Sequence, residues 1–164
     1  MVERHVPGDR REEASRSRFL AELEHLDDPY DEAGGPVHVT ASAVVIGARG
    51  TVLHRHRRLH RWLQPGGHID HGEAPWEAAI RETQEETGLP VRHPGGAPAM
   101  IHLDVHAAAL GHTHLDLRYL LESEDVDPVP APGESPSVRW FSWEAAEAIA
   151  DEALIGALRA ARER

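Results

Sequence analysis

The chain contains no cysteine, which excludes disulfides, thiolate metal ligands and a cysteine nucleophile. It contains no lysine either, so all 17 basic residues are arginine. These stand against 28 acidic residues, and the formal net charge of −11 makes the chain a poor non-specific partner for long nucleic acid. A small anionic ligand remains compatible if a metal ion or a local arginine receives it. No apolar run is long enough to span a bilayer. The charged N-terminus MVERHVPGDRREE lacks the apolar centre of a signal peptide. A cytoplasmic protein with no membrane partner is expected.

At 164 residues the chain can enclose a core as one domain. Residues 1–14 read as loosely ordered. In Ser15–Leu26, Phe19, Leu20, Leu23 and Leu26 fall at helical spacing. Pro29, Gly34, Gly35 and Pro36 then break the pattern, as a linker or a lid would. His38–Ile46 and Thr51–Arg55 read as strands joined by a turn at Gly47–Gly50, and Arg61–Leu63 as a short third strand. A glycine-rich loop, QPGGHIDHGE, leads into a helix over Glu73–Thr87, with Pro75 in its first turn and Gly88 and Pro90 as its stop. Strands follow at Met100–Ala107, His114–Glu122 and Ser137–Phe141. A last helix, Trp143–Arg162, is capped by Ser142. The order predicts an α+β fold with helices on both sides of a mixed sheet.

On a wheel of about 100° per residue, Glu82, Glu85 and Glu86 share one stripe of the middle helix. Trp76, Ile80, Thr83 and Thr87 form another stripe that can pack on the sheet. The three carboxylates repel, by about 0.2–0.5 kcal/mol per pair at this spacing. Arg81 relieves part of that repulsion, and a divalent cation would relieve more. Carboxylate oxygens are the hard ligands that Mg²⁺ prefers, and Mg²⁺ takes further ligands from water and substrate phosphate. Gly66 and Gly67 allow close backbone approach, so a carbonyl there is a further candidate ligand. Glu73 is placed to pair with Arg81.

Taken alone, an acidic helix face is commonly just solvated. The full pattern is more specific: Gly67, five residues, Glu73, seven residues, Arg81-Glu82, then Glu85-Glu86, one residue, Gly88 and Leu89. This segment resembles the signature of the Nudix hydrolase family. Thr83 departs from it, standing where the family usually has a bulkier aliphatic residue. The resemblance implies an α/β/α sandwich with a mixed β-sheet between helices, in a Nudix domain over 37–164 behind an N-terminal extension at 1–36 with a short helix. It implies hydrolysis of a diphosphate linkage in a nucleoside diphosphate joined to another group, with Mg²⁺ as cofactor or Mn²⁺ in its place. Glu82, Glu85, Glu86 and the Gly66 carbonyl would bind metal. Arg81 would orient the glutamates and Glu73 would hold Arg81. The proton acceptor would be Glu82 or, from a later loop, Glu134. A homodimer also fits the resemblance.

Two other functions are compatible with such a fold. A nucleotide-sensing module would not need the intact set of Glu82, Glu85, Glu86 and Arg81. The isomerase of isoprenoid diphosphates that shares the fold relies on a cysteine, and none is present. Among relatives, a proline a little past the motif accompanies ADP-ribose cleavage and a tyrosine accompanies dinucleoside polyphosphate cleavage; here Asp104 and Val105 stand there.

Outside the motif, Leu115, Leu117, Tyr119 and Leu121 alternate with His114, Asp116 and Arg118, and Ile101, Leu103 and Val105 alternate with His102, Asp104 and His106. That polar face is either solvated or the lining of the substrate cleft, with Arg118 and Asp116 as contacts. Trp62, Trp140, Trp143 and Tyr30 could stack on a base, although aromatics are more often core. Trp62 and Tyr30 are the better placed for binding, beside the glycine loop and in the lid segment. The 13 histidines show no set of three or four whose spacing marks a zinc site, and loop or pocket-lining positions are expected for them.

Overall fold

Alternating strands sort this chain into two apolar layers. A computed structural model describes residues 1–164. It contains strands β1 (Val37–Gly47), β2 (Gly50–Arg55), β3 (Trp62–Leu63), β4 (Gly66–His68), β5 (Val91–Arg92), β6 (Met100–Ala107), β7 (Thr113–Ser123) and β8 (Val138–Phe141). The helices are α1 (Arg10–Leu23), α2 (Pro75–Thr87), α3 (Trp143–Ile149) and α4 (Glu152–Arg162). All eight strands form one sheet, ordered β3-β2-β1-β7-β5, with β4 also on β1, β6 on β7 and β8 on β2. β1 and β7 pair in parallel from Val37↔Thr113 to Ile46↔Glu122, whereas the other pairings are antiparallel. A parallel pair needs a long crossover, and here the crossover carries α2.

On one face, Val39, Ala41, Ala43 and Val45 of β1 join Leu115, Leu117, Tyr119 and Leu121 of β7 beneath Ala78 and Ala79 of α2. On the other, Val44, Leu53, Ile101 and Leu120 meet Ala146 of α3 and Leu154, Ala157 and Leu158 of α4. The architecture is therefore the expected α+β sandwich, a mixed sheet flanked by helices.

Helix α1 runs from Arg10 rather than Ser15 and ends at Leu23 rather than Leu26. Its cap is Asp9, whose side chain accepts from the Glu12 amide at 2.9 Å. The N-terminal residues are correspondingly organised. Val2–Arg4 form a 3-10 turn, and the guanidinium of Arg16 donates to the Val2 carbonyl at 3.1 Å. Buried Glu12 accepts from the Leu103 amide at 3.0 Å, and Ser15 Oγ from the Val105 amide at 3.3 Å. These are the free backbone donors of edge strand β6, so α1 closes an edge that would otherwise invite another strand.

The expected single C-terminal helix is two. Ala150 and Asp151 have extended backbone, and Asp151 caps α4 by accepting from the Leu154 amide at 2.9 Å. Strand β4 lies inside the glycine-rich segment expected to be loop. It pairs with β1 through Thr40↔His68, Ala41↔Gly67 and Ser42↔Gly66. Glycine disfavours strand locally, so only this tertiary pairing makes the segment extended.

Candidate active site

The site is assembled where β4 meets α2. The helix starts after Ala74, whose amide donates to Glu77 Oε2 at 2.9 Å. It ends at Gly88, in the left-handed conformation with φ 68°, whose amide donates to the Gln84 carbonyl at 2.8 Å. A Cβ on Gly88 would collide with the Val129 carbonyl of the proline-rich loop. That loop is tied to the helix end by the Ala131 amide on the Glu85 carbonyl at 2.8 Å. Thr83 is fully buried, and its hydroxyl donates to the Ala79 carbonyl at 2.6 Å, which satisfies the polar atom that replaces a bulkier aliphatic group.

At the loop, a Cβ on Gly67 would lie 2.6 Å from the Glu82 carboxylate, and one on Gly66 would lie 2.5 Å from Ser42 Cα. Gly66 is therefore required by space against backbone, whereas a side chain at Gly67 would have to push the Glu82 carboxylate aside. The Gly66 amide donates to Glu86 Oε2 at 2.9 Å.

Arg81 organises the acidic stripe. Its Nε donates to Glu73 Oε1 at 3.0 Å and its Nη2 to Glu73 Oε2 at 2.9 Å, a two-pronged pair. Nη1 reaches Glu82 Oε1 at 2.7 Å and Glu85 Oε2 at 3.4 Å, and Nη2 also donates to the His68 carbonyl at 2.8 Å. One guanidinium thus links the loop strand to three glutamates. Glu73 in turn accepts from the Asp70 amide at 3.0 Å.

The charge in this cluster is not balanced. Burial pushes the Glu86 carboxyl up to about 8, opposed by the Gly66 amide and reinforced by Glu82, Glu134 and Glu85. Burial also raises Glu82, against the pull of Arg81. The side chain nearest to Glu86 that could bring a positive charge is His54, with Nδ1 3.5 Å from Glu86 Oε1. Burial, aided by His56, depresses His54 to about 4, so it is neutral near pH 7. A half-buried carboxyl group facing other carboxylates and paired with no arginine is a fit for a hard divalent cation, with the glutamate oxygens as its ligands and His54 at the margin.

Two clefts flank the cluster. One, of about 190 Å³, is lined by Glu86, Glu134, His54, His56 and the arginines at 57 and 58. Glu134, remote in sequence, is thereby brought beside the glutamate stripe. The other, of about 730 Å³, runs past Tyr30, Glu32, His68, Glu73 and His112. Tyr30 is 40% exposed at its wall.

Three expected substrate contacts are placed elsewhere. Arg118 is only 3% exposed, and its guanidinium donates to Asp116 at 2.9 Å, Asp104 at 3.4 Å and the Ala153 carbonyl at 2.7 Å. Asp116 also accepts from Ser42 at 2.9 Å and Thr40 at 3.3 Å. This polar sheet face is a closed ion-pair network under α4, because the helix and Arg11 of α1 cover it; Arg11 meets Asp104 at 3.0 Å. Trp62 packs edge-on against Phe141 at 4.9 Å, with Arg139 5.0 Å from its ring centre, and lines neither cleft.

Sequence reasoning missed a group of histidines. His38, His68 and His114 present ring nitrogens that all lie within 4.8 Å of one another. Their sequence separations follow no metal-ligand pattern. The available signal was the shared parity of His38 and His114 on two strands whose pairing is set only by the fold.

Residues 36–159 match the family model described as the NUDIX domain. The bis(5'-nucleosyl)-tetraphosphatase [asymmetrical] of Caenorhabditis elegans is 35% identical over 103 residues, which cover 60% of this chain and 71% of that protein. An RNA pyrophosphohydrolase of Rhodopseudomonas palustris is 27% identical over 131 residues, covering 72% and 78%. The crystal structure of a NUDIX-family hydrolase from Clostridium perfringens superposes with TM-score 0.67 at 28% identity, covering 77% of this chain and 97% of that one. The chain belongs to the Nudix family, whose general activity is hydrolysis of a diphosphate-containing substrate. No helix is long and apolar enough to cross a membrane.

Proposed function

We propose that this chain is a Mg²⁺-dependent pyrophosphohydrolase that cleaves a diphosphate linkage in a small nucleoside diphosphate derivative. The observation that carries the reading is the carboxylate cluster where β4 meets α2: Arg81 gathers Glu73, Glu82 and Glu85, and the Gly66 amide holds Glu86 at 2.9 Å. Clustered carboxylates repel unless protons or a cation relieve them, and a divalent ion does so while leaving them ionised. Glu82, Glu85, Glu86 and the Gly66 carbonyl would hold Mg²⁺, with Mn²⁺ able to stand in. Bound there, the ion would supply neutralising charge on the diphosphate and a more acidic water.

The remaining steps fall to the chain's own residues. Arg81, clamped by Glu73, fixes the rotamers of Glu82 and Glu85. Glu82 or Glu134 takes the proton of the attacking water. Glu134 is supported by its place beside Glu86 on the smaller cleft. Tyr30 offers an exposed ring for a base at the larger cleft. In this reading residues 37–164 form the catalytic domain, and residues 1–36 are an extension that covers β6 and carries Tyr30.

The named relatives act on different substrates, so a panel is the test. Dinucleoside polyphosphates come first because of the Caenorhabditis elegans relative, followed by nucleoside triphosphates, nucleotide sugars and non-nucleotide diphosphates. Each is incubated with Mg²⁺ or Mn²⁺, and phosphate release and product mass are read. Metal-dependent turnover that Glu86→Gln abolishes supports the proposal. No turnover of any member would overturn it in favour of a nucleotide-sensing module.

A further inference from the structure

We infer that His38, His68 and His114 form a second metal site, for a zinc-class transition ion, separate from the glutamate cluster. The three residues come from adjacent strands. His38 on β1 and His114 on β7 are direct register partners, and His68 on β4 pairs with Thr40, two residues further along β1. All three therefore project from one face of a paired three-strand unit, a rigid support of the kind a metal centre requires.

The ring centres are 5.0 Å apart for His38 and His68, 4.9 Å for His38 and His114, and 5.3 Å for His68 and His114. The ligand nitrogens all lie within 4.8 Å of one another. Tetrahedral zinc with Zn–N bonds of about 2.1 Å sets its nitrogens about 3.4 Å apart, so closure by about 1 Å of ring movement completes the geometry.

An independent observation points to a ligand. His38 is 1% exposed, and neither Nδ1 nor Nε2 has a well-formed hydrogen-bond partner, the Gly35 backbone offering only a poorly aligned one. A buried imidazole whose nitrogens lack well-formed partners is costly. Coordination removes part of that cost. A metal-bound histidine usually gives its other nitrogen to a carboxylate, and here Glu32 Oε2 lies 3.2 Å from His68 Nδ1.

Imidazole nitrogens suit zinc, whereas Mg²⁺ prefers oxygen, so the two sites select different ions. Three protein ligands leave a fourth position. His68 lines the 730 Å³ cleft together with His112, whose ring is 5.3 Å from His38. The fourth position is therefore open to His112 or to a ligand entering the cleft. An ion here would also pin β4, whose His68 carbonyl holds Arg81.

The test uses the full chain, stripped with a chelator, loaded with Zn²⁺ or Co²⁺ and desalted into excess Mg²⁺. Metal content, calorimetry and the visible spectrum of the Co²⁺ form are read. Wild type is expected to keep one zinc ion per chain and to show the intense bands of tetrahedral Co²⁺. His38→Gln, His68→Gln and His114→Gln are each expected to weaken zinc binding by more than about tenfold, the scale on which even outer partners of a ligand matter. Glu86→Gln should retain zinc in full, which separates this site from the proposed hydrolytic one. No zinc binding by wild type, binding indifferent to the histidine variants, or zinc lost in Glu86→Gln would each overturn the assignment. His68 is 40% exposed, so His68→Gln keeps the test decisive if the buried variants fail to fold.

Discussion

Gly67 lies so close to Glu82 that a single methyl group on it would come within 2.6 Å of the carboxylate. The loop strand and the helix are thus packed at the limit set by glycine, and the position of Glu82 depends on it. Gly67→Ala is expected to displace the carboxylate while leaving the fold intact. A shift of about 1 Å in a reacting geometry costs on the order of a hundredfold in rate. Steady-state kinetics beside circular dichroism would check this, and undiminished turnover would show that Glu82 tolerates displacement.

Arg81 acts through the shape of its guanidinium. Lysine keeps the charge but cannot grip Glu73 at two points while reaching Glu82 and the His68 carbonyl. Arg81→Lys is expected to reduce kcat by about tenfold or more. Because Arg81 is partly exposed, the pair contributes only about 1 kcal/mol or less to stability. The melting temperature should therefore move little, and a large loss of stability with normal kcat would contradict this reading.

Gly88 and Gly95 have nearly the same backbone, with φ of 68° and 66°, but different surroundings. A Cβ on Gly88 meets the Val129 carbonyl, whereas one on Gly95 meets nothing within 4 Å. Gly95→Ala should cost only the left-handed penalty of about 1–2 kcal/mol. Gly88→Ala should cost clearly more and should loosen the proline-rich loop that carries Glu134. Denaturant unfolding of the two variants isolates the collision.

Glu86 makes the metal-free protein sensitive to alkali. Its folded carboxyl is raised from 4.5 to about 8, chiefly by burial. The folded state therefore holds this proton more tightly than the unfolded chain. The resulting stabilisation is complete below about 4.5 and is lost as pH rises through about 8, amounting to a few kcal/mol. Chelator-treated wild type should lose stability across that range, and Glu86→Gln should not. Added Mg²⁺ should remove the slope by replacing the proton. A flat metal-free profile would contradict the burial of this charge.

Acid acts through other groups. His54, His102 and His114 are each depressed from 6.5 to about 4, with burial the largest cause. Their contribution to stability is complete above about 6.5 and is lost as pH falls through about 4, because the unfolded chain takes up these protons first. Metal-free protein should weaken between those values, with about three protons taken up by these histidines on unfolding, less the one that Glu86 releases above about 4.5. His102→Gln should lower that proton uptake by about one. Between about 6.5 and 8 the histidines no longer contribute, so the Glu86 effect can be read alone.

Local chemistry was legible wherever neighbours in sequence are neighbours in space. The stripe of Glu82, Glu85 and Glu86, the stop at Gly88 and the Glu73–Arg81 pair all lie within one helix and the loop before it, where helical geometry fixes what meets what. The start of α1 was also available, since Asp9 and Glu12 stand at capping-box spacing, but the apolar periodicity begins later and drew the boundary to Ser15. Arg118 shows the opposite case. Its alternation with leucines correctly marks one face of a strand, but periodicity cannot say whether that face opens on a cleft or is sealed by another helix.

By itself the sequence determined the alternation that yields a sheet with two apolar faces, the acidic helix stripe and the glycines that must approach it. Each of these rests on spacing of a few residues and on the backbone conformations they allow. Only the tertiary structure decided that Glu134 stands beside Glu86, that Arg118 and Asp116 are enclosed rather than presented to a substrate, and that three histidines from three strands converge. Those outcomes depend on strand register and on which helix covers which face, and both are set by packing between segments far apart in the chain.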